Sequence, residues 1–223
     1  ALGLATQGCT AWYAAHFSVQ LRKGQRVLVH SAAGGVGHLL VRIALKRDCE
    51  VFAVANGEEK MSFLKKLGAL HAIDRATGDY AKQVAALLGE SHIDVSFNAV
   101  GGSSFKKDMR LLGNGGSIVL YGGAERSTGA LGWFSTLKFV WDMGLVLPIF
   151  LMMRSQAIVG LNMLRVGERE PLLVMRRLQE VVAAATEGWL IPNVHVELPA
   201  GQLPEAHAML EGGLTIGKLA LRW

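Results

Sequence analysis

The sequence predicts an α/β protein built on a doubly wound parallel sheet. Short apolar runs of strand length alternate with segments of helical periodicity, and parallel strands are indicated because they need a crossover connection. Four of the runs are apolar enough for strands buried on both faces, and "HAID" is a shorter fifth candidate. The five predicted strands cover residues 26–30, 51–55, 71–74, 93–100 and 117–123.

Helices are predicted between these strands. In "VGHLLVRIALKR" the apolar residues Val36, Leu39 and Leu40 share one face with Ile43 and Ala44, as expected of a helix that covers a sheet. The other helical segments in this part of the chain are 58–69, 80–89 and 103–116. The spacing indicates a Rossmann domain, which we place at residues 21–165.

The two ends of the chain have a different character. Residues 1–20, rich in small and aromatic side chains, are expected to form a buried helical lead-in. Residues 166–223 begin with an amphipathic helix over 171–190, followed by strands at 194–198 and 217–223 with a short helix between them. These last strands have no obvious sheet of their own, so we predict that they complete a second domain.

Composition excludes several classes of protein. The net charge is +5 over 223 residues, but the basic residues are scattered, so no nucleic-acid partner is expected. Cys9 and Cys49 form no C-x-x-C pair and have no histidine at ligand spacing, which indicates neither a zinc site nor a disulfide. Because the start does not resemble a signal peptide, we expect a cytoplasmic protein with buried, reduced cysteines.

One apolar segment raises the question of membrane contact. The uncharged run 143–153 is shorter than the about 20 residues of a membrane-spanning helix, and Pro148 interrupts it. A segment that is buried or forms an interface is the favoured interpretation. Membrane contact is the alternative.

The stretch "HSAAGGVGHL" is the strongest motif. Ala32, Gly34 and Gly37 occupy the three positions of G-x-G-x-x-G, directly after a strand and at the start of a helix. Gly34 allows the backbone to approach a pyrophosphate, Gly37 allows the helix to pack closely on the strand, and the helix N-terminus offers free N–H groups. The motif predicts dinucleotide binding, and a tight turn without a ligand is the alternative.

The end of the second strand bears on the choice of cofactor. Asn56 stands where an NAD-specific protein carries an acid, and a neutral side chain does not repel a 2′-phosphate. Lys60 and Arg75 can supply positive charge for that phosphate. NADP(H) is therefore predicted. Alternatively, Asn56 and Glu59 form a capping box and Lys60 is solvated.

The later strand ends and the histidines complete the sequence evidence. "NAVGG" and "YGGA" place small residues where ligands bind in such folds, although turns also need glycine. His30, at the end of a buried strand, is predicted to be a hydrogen-bonded core residue. No residue is identified from the sequence as a catalytic acid.

Six segments together resemble the medium-chain dehydrogenase/reductase superfamily: "AAGGVG", "FLKKLGA", "HAID", "NAVGG", "GGSIVLYGG" and "IGKLALRW". The zinc-free quinone oxidoreductase branch, with zeta-crystallin and the vesicle amine transport proteins, is the most similar. The apolar insert after "STGAL" and the segment "SQAIVGLNML" resemble the vesicle group most. The resemblance covers nearly the whole chain.

This resemblance implies an NADPH-dependent reductase that transfers a hydride to a quinone or another activated double bond, as a homodimer and without zinc. The residues that would hold the pyrophosphate are Gly34, Gly35, Val36 and Gly37. Those that would face the 2′-phosphate are Asn56, Lys60 and Arg75, although the family often has serine and tyrosine in place of Asn56 and Arg75. Those that would line the adenosine, the ribose and the nicotinamide are Val100, Gly122, Gly123, Leu161 and Asn162. Those near the nicotinamide and its phosphates would be Thr10 and Lys218.

The resemblance also leads us to expect that the chain lacks the family's N-terminal GroES-like domain, which would leave its last strands without sheet partners. Two other functions stay open. One is a non-enzymatic, membrane-associated adaptor that uses residues 133–153 as its contact surface. The other is the enoyl-reductase module of a larger synthase.

Overall fold

The computed structural model describes residues 3–123 and 133–223. Its main feature is a six-stranded parallel sheet with the strand order β3-β2-β1-β4-β5-β6. This is the doubly wound order, which reverses between β1 and β4 and has its ligand crevice at that point. The predicted fold class is confirmed. The strands are β1 (Arg26–Val29), β2 (Glu50–Ala55), β3 (His71–Asp74), β4 (Ile93–Asn98), β5 (Leu112–Leu120) and β6 (Ala157–Gly160), followed outside this sheet by β7 (Val194–Pro199) and β8 (Lys218–Arg222).

Helices connect these strands. π-Helical turns at Leu4–Gly8 and Ala14–Ser18 flank the first α-helix, and a 3₁₀ turn at Arg75–Thr77 follows β3. The α-helices are α1 (Cys9–Tyr13), α2 (Gly37–Lys46), α3 (Glu58–Leu67), α4 (Tyr80–Leu88), α5 (Ser103–Leu111), α6 (Trp133–Met143), α7 (Pro148–Arg154), α8 (Met163–Arg169), α9 (Pro171–Thr186) and α10 (Leu203–Glu211).

The sheet is buried on both faces. Along β1, Val27 and Val29 pack into the core that contains α2 and α3, whereas Leu28 packs into the core that contains α4 and α5. Successive side chains of a strand point to opposite faces, so a strand covered on both sides must be apolar throughout. The continuous apolar run of β1 has this origin.

The predicted helix 103–116 is wrong at its C-terminal end. Helix α5 stops at Leu111, Leu112 is already extended, and β5 runs on from there. The segment contains three glycines, one of which, Gly115, has φ of +84°. Glycine is a poor helix former, and the left-handed backbone at Gly115 is incompatible with a helix.

The expectation that the last strands lack a sheet is also wrong. β7 and β8 pair in parallel with each other, and α10 provides the crossover between them. The Gly217 N–H donates to the Ala33 carbonyl at 2.7 Å, which ties β8 to the turn after β1. The division of the chain into 1–20, 21–165 and 166–223 stays a prediction.

The N-terminal helical stretch is buried against the sheet domain. Cys9 and Ala11 lie in the same core as Val181 and Ala184 of α9. Burial raises the pKa of the Cys9 thiol, and it raises that of Cys49 to about 11. Both cysteines are free and buried, as predicted.

The segment predicted to be buried or to form an interface is largely exposed. Trp141 is 83% exposed and Leu145 is 88% exposed, and Met152 and Met153 also face solvent. Because β6 is the edge strand of the sheet, little sheet surface remains for α7 to cover. Burial is therefore wrong for these residues, and an interface stays a prediction. Within the two described ranges no helix is long and apolar enough to cross a membrane.

Candidate dinucleotide-binding site

The turn between β1 and α2 is fixed by backbone hydrogen bonds. The Ala32 N–H donates to the Val54 carbonyl at 2.9 Å, and the Gly34 N–H donates to the Ser31 carbonyl at 2.8 Å. A β-carbon at Gly37 would lie 2.8 Å from Cα of Ala32 and would also collide with the Ser31 carbonyl. Glycine at this position therefore allows α2 to start directly against the turn, as the motif predicts.

Two backbone donors remain free at this turn. The N–H groups of Gly35 and Val36 have no acceptor within residues 3–123 and 133–223, and no side chain caps α2. The first turn of α2 carries no acidic residue. Free N–H groups and the positive end of the helix dipole together favour an anionic ligand such as a phosphate.

His38, which the sequence did not single out, holds this turn in place. Its Nδ1 lies 2.7 Å from the Gly34 carbonyl, and its Nε2 accepts from the Asn193 N–H at 2.9 Å. Since Nε2 accepts a hydrogen bond, the ring proton is on Nδ1 and the imidazole is neutral. Burial accordingly lowers the pKa of His38.

The tip of β2 presents an amide to solvent. Asn56 is exposed and makes no cap, because Gly57, with φ of +89°, is the residue that precedes α3. The alternative of a capping box is therefore wrong. Asp74, at the end of the neighbouring strand β3, accepts from the Ala76 and Gly57 N–H groups at 2.8 and 3.0 Å, and these bonds lower the pKa of its carboxyl group.

The two basic residues predicted for the 2′-phosphate differ in their surroundings. Arg75 is exposed. It directly follows Asp74, which pairs with Ala55, and Asn56 directly follows Ala55. Arg75 and Asn56 therefore lie just beyond two neighbouring strands, at the same edge of the sheet. Lys60 is half-buried and donates to the Gly213 carbonyl, and burial lowers its pKa. The alternative of a solvated Lys60 is therefore wrong.

An open cavity of about 610 Å³ lies at the carboxyl ends of β5 and β6. It brings together four of the predicted site residues, Thr10, Gly122, Leu161 and Asn162. The Thr10 hydroxyl donates to the Thr6 carbonyl at 2.7 Å, and the Leu161 N–H donates to the Leu120 carbonyl at 2.8 Å. A β-carbon at Gly122 would lie 2.6 Å from the Ala99 carbonyl oxygen, so this turn requires glycine.

The remaining predicted residues border these two regions. The Val100 N–H donates to Oδ1 of Asn98 at 2.9 Å, which fixes the loop after β4. Gly123 is the last described residue before the segment 124–132, so the end of the "YGGA" motif lies outside the described residues. Lys218 is half-buried and follows Gly217, which bonds to the turn after β1.

A buried carboxylate network lies beneath this edge, and the sequence did not reveal it. Asp108 of α5 accepts hydrogen bonds from Nε2 of His30 at 3.0 Å and from the Tyr80 hydroxyl at 2.8 Å. It also accepts from the Ser96 hydroxyl at 2.7 Å and from Nδ2 of Asn98 at 2.6 Å. The prediction that His30 is a hydrogen-bonded core residue is confirmed.

This network keeps a charge in the core. Burial alone would raise the pKa of Asp108, but the interactions with His30, Ser96 and Tyr80 hold it below its ordinary value. Asp108 also orients Asn98, whose Oδ1 then accepts from the Val100 and Gly101 N–H groups. The network therefore supports the loop that carries Val100.

The sequence profile of the zinc-binding dehydrogenase family matches residues 35–175. The chain belongs to this family. A 2-haloacrylate reductase from a Burkholderia species is 28% identical over 98% of this chain and 62% of its own length. The synaptic vesicle membrane protein VAT-1 homolog of Rattus norvegicus is 30% identical over 90% of the chain and 50% of its own length. The resemblance to the medium-chain dehydrogenase/reductase superfamily is thereby confirmed.

Solved structures agree on the fold. A crystal structure of 2-haloacrylate reductase matches 97% of this chain and 63% of that one, with a TM-score of 0.77 and 26% identity. The quinone oxidoreductase of Pseudomonas syringae matches 98% of this chain and 63% of that one, with a TM-score of 0.79 and 22% identity. The chain thus spans less than two thirds of the length of these relatives.

The family name raises the question of zinc. In the described parts of the chain, no three His, Cys, Asp or Glu side chains are grouped so that they could hold a metal ion. The donor set present in these ranges does not fit a zinc site.

Proposed function

We propose that this chain binds NADPH along the carboxyl edge of its sheet and serves hydride transfer to a quinone or another double bond activated by a carbonyl group. One observation carries the proposal: the free N–H groups of Gly35 and Val36 and the cavity at Thr10, Leu161 and Asn162 lie along one sheet edge. Dinucleotides bind in this crevice of doubly wound folds.

Bound NADPH would supply the hydride. The residues of this chain would bind and orient it: the β1–α2 turn holds the pyrophosphate, and the cavity at β5 and β6 receives the nicotinamide. Gly122 and Leu161 present backbone there, so a flat ring can lie close. Among the described residues that line the cavity, none is a carboxylic acid, a histidine or a lysine. We assign no proton donor.

The preference for NADPH over NADH rests on the tip of β2. Asn56 carries no charge there, and the carboxylate of Asp74 is engaged by two backbone N–H groups. Arg75 is free to approach a 2′-phosphate, and Lys60 would exchange its bond to the Gly213 carbonyl for one to that phosphate. A charged hydrogen bond contributes about 1.5–3 kcal/mol, enough to decide between the cofactors.

The relatives support an activated alkene as substrate. A 2-haloacrylate reductase acts, by its name, on a carbon–carbon double bond next to a carboxylate. We extend this class to enones, quinones and enoyl thioesters, the last being the substrate of an enoyl-reductase module. We also propose a homodimer, in which the outer edge of β6 pairs with a second copy.

Titration of the purified chain with NADPH and with NADH, followed by nucleotide fluorescence, tests cofactor binding. Tighter binding of NADPH is expected. Absence of binding, or a preference for NADH, would overturn the proposal. Oxidation of NADPH in the presence of 2-chloroacrylate, a quinone or an enoyl thioester then identifies the substrate class.

A second candidate function, contact with a membrane surface, is favoured by one observation. Helices α6 and α7 and the loop between them expose Trp141, Phe150 and Leu145, and Lys106 and Arg154 lie nearby. Exposed apolar side chains next to basic residues are typical of interfacial helices. Co-sedimentation with anionic liposomes tests this candidate. It is excluded if the wild-type chain stays in solution, or if replacing Phe150 and Leu151 with aspartate leaves sedimentation unchanged.

A further inference from the structure

Gln7 connects the cavity to the glycine turn. It lies in the π-helical turn Leu4–Gly8, next to Thr6, which lines the cavity. A β-carbon placed on Gly35 would lie 2.5 Å from Cδ and 2.7 Å from Oε1 of Gln7. The amide of Gln7 is therefore in direct contact with the residue whose N–H is free at the turn.

The amide oxygen of Gln7 is buried without a hydrogen bond. Within the described residues no donor reaches Oε1. A β-carbon built on Gly3 would lie 3.4 Å from this oxygen, so it is packed between Gly3 and Gly35. Most buried polar atoms in proteins are hydrogen-bonded, and an unpaired one is destabilising. The unpaired amide oxygen of Gln7, beside the predicted phosphate site, therefore suggests that a ligand donates a hydrogen bond to it.

We propose that Gln7 is a cofactor-binding residue that contacts the pyrophosphate of NADPH beside the glycine turn. This inference rests on the proposed function. The amide supplies what the site needs there, because Nε2 donates to a phosphate oxygen while Oε1 accepts from a ribose hydroxyl. Gly35 must be glycine for two reasons: the backbone approaches the phosphate, and the Gln7 side chain occupies the space beside it.

Packing alone would explain the same contact if Gln7 only filled the space beside Gly35. The two roles differ in their response to charge. Gln7→Glu keeps the shape of the side chain but places a carboxylate beside the phosphate, whereas Gln7→Met keeps the volume without the hydrogen bonds. Gln179→Glu, on the exposed surface of α9, is the matched control for the added charge.

The experiment compares two ligands. NADPH contains the pyrophosphate, whereas adenosine 2′-monophosphate carries the adenosine and the 2′-phosphate but neither phosphate of the pyrophosphate. At low ionic strength Gln7→Glu is expected to weaken NADPH binding about tenfold or more, with a smaller effect at high salt. Gln7→Met should weaken it by about tenfold or less. Neither variant, nor Gln179→Glu, should change binding of adenosine 2′-monophosphate or the melting temperature.

The results distinguish the role of Gln7 from the proposed function on which that role rests. If wild-type protein and both Gln7 variants bind NADPH equally, the role of Gln7 is wrong and the proposed function stands. If the variants lose affinity equally for both ligands, Gln7 acts only through packing, and the inference is wrong. If the wild-type chain binds neither ligand, both the inference and the proposed function are overturned.

Discussion

The buried carboxylate network and the glycine turn are neighbours, since His30 of the network directly precedes the turn. In the network, Asp108 accepts from four side chains. At the turn, the N–H groups of Gly35 and Val36 and the amide oxygen of Gln7 have no partner among the described residues. The carboxylate of Asp108 is fully engaged and holds the sheet edge rigid, although Nδ1 of His30 is buried without a partner among the described residues. The groups without a partner at the turn are those placed where a ligand can bind.

Removing the charge at the centre of the network should have the largest effect. Asp108→Asn leaves several donors facing an amide group, so we expect a loss of about 3–5 kcal/mol in the free energy of unfolding. Urea titration measures this change in the free energy of unfolding. Asp48→Asn, at an exposed ion pair with Lys23, is the control and should change stability by less than about 0.5 kcal/mol. Equal effects of the two substitutions would show that the network does not stabilise the fold.

The turn should respond in binding rather than in stability. In Gly35→Ala the added methyl group meets the flexible side chain of Gln7 and any phosphate at the turn, but no backbone. Because the methyl group would occupy part of the space that the phosphate needs, NADPH affinity should fall about tenfold to a hundredfold. The melting temperature should change little. Gly201→Ala, where the methyl group meets nothing, is the control. Unchanged NADPH affinity in Gly35→Ala would show that the turn after β1 does not bind the cofactor.

The tip of β2 should control the choice of cofactor. Asn56→Asp adds a carboxylate where the 2′-phosphate is expected, so the ratio of NADPH to NADH affinity should fall about tenfold. Parallel fluorescence titrations with the two nucleotides measure the ratio, and Asn114→Asp on an exposed part of β5 serves as control. If the ratio stays constant, the 2′-phosphate binds elsewhere.

The smallest expected effect is on stability in acid, and it is absent at neutral pH. The folded protein holds the pKa of Asp108 below its ordinary value of 3.8, so the carboxylate stabilises the fold fully above that value. This contribution is lost as the pH falls from about 3.8 through the lower, folded pKa. Thermal unfolding between pH 6 and pH 2 should therefore show a steeper loss for the wild type than for Asp108→Asn. Parallel curves would contradict the lowered pKa.

The sheet and the glycine turn could be predicted because their signals are local. Apolar runs such as that of β1 and the spacing of Gly34 and Gly37 are visible within a few residues of sequence. The network could not be predicted in this way, because Tyr80 and Asp108 meet His30 only after helices pack on the sheet. A polar residue on an otherwise apolar helix face, as at Asp108 beside Phe105, is the one signal that could have indicated it.

Other features also depended on tertiary contacts. The pairing of β7 with β8 joins strands on either side of α10, and neither strand shows its partner in its own sequence. Gln7 carries no charge and belongs to no motif, so only its contact with Gly35 draws attention to it. The roles assigned to the predicted site residues stay predictions until binding is measured.

Backbone amide resonances test the central claim most directly. On addition of NADPH to the ¹⁵N-labelled chain, the resonances of Gly35 and Val36 should shift strongly, because their free N–H groups acquire phosphate acceptors. The amides of Ser96 and Asp108, in the buried network, should shift little. Large shifts confined to other parts of the chain, or none at any nucleotide concentration, would contradict a phosphate site at the turn after β1.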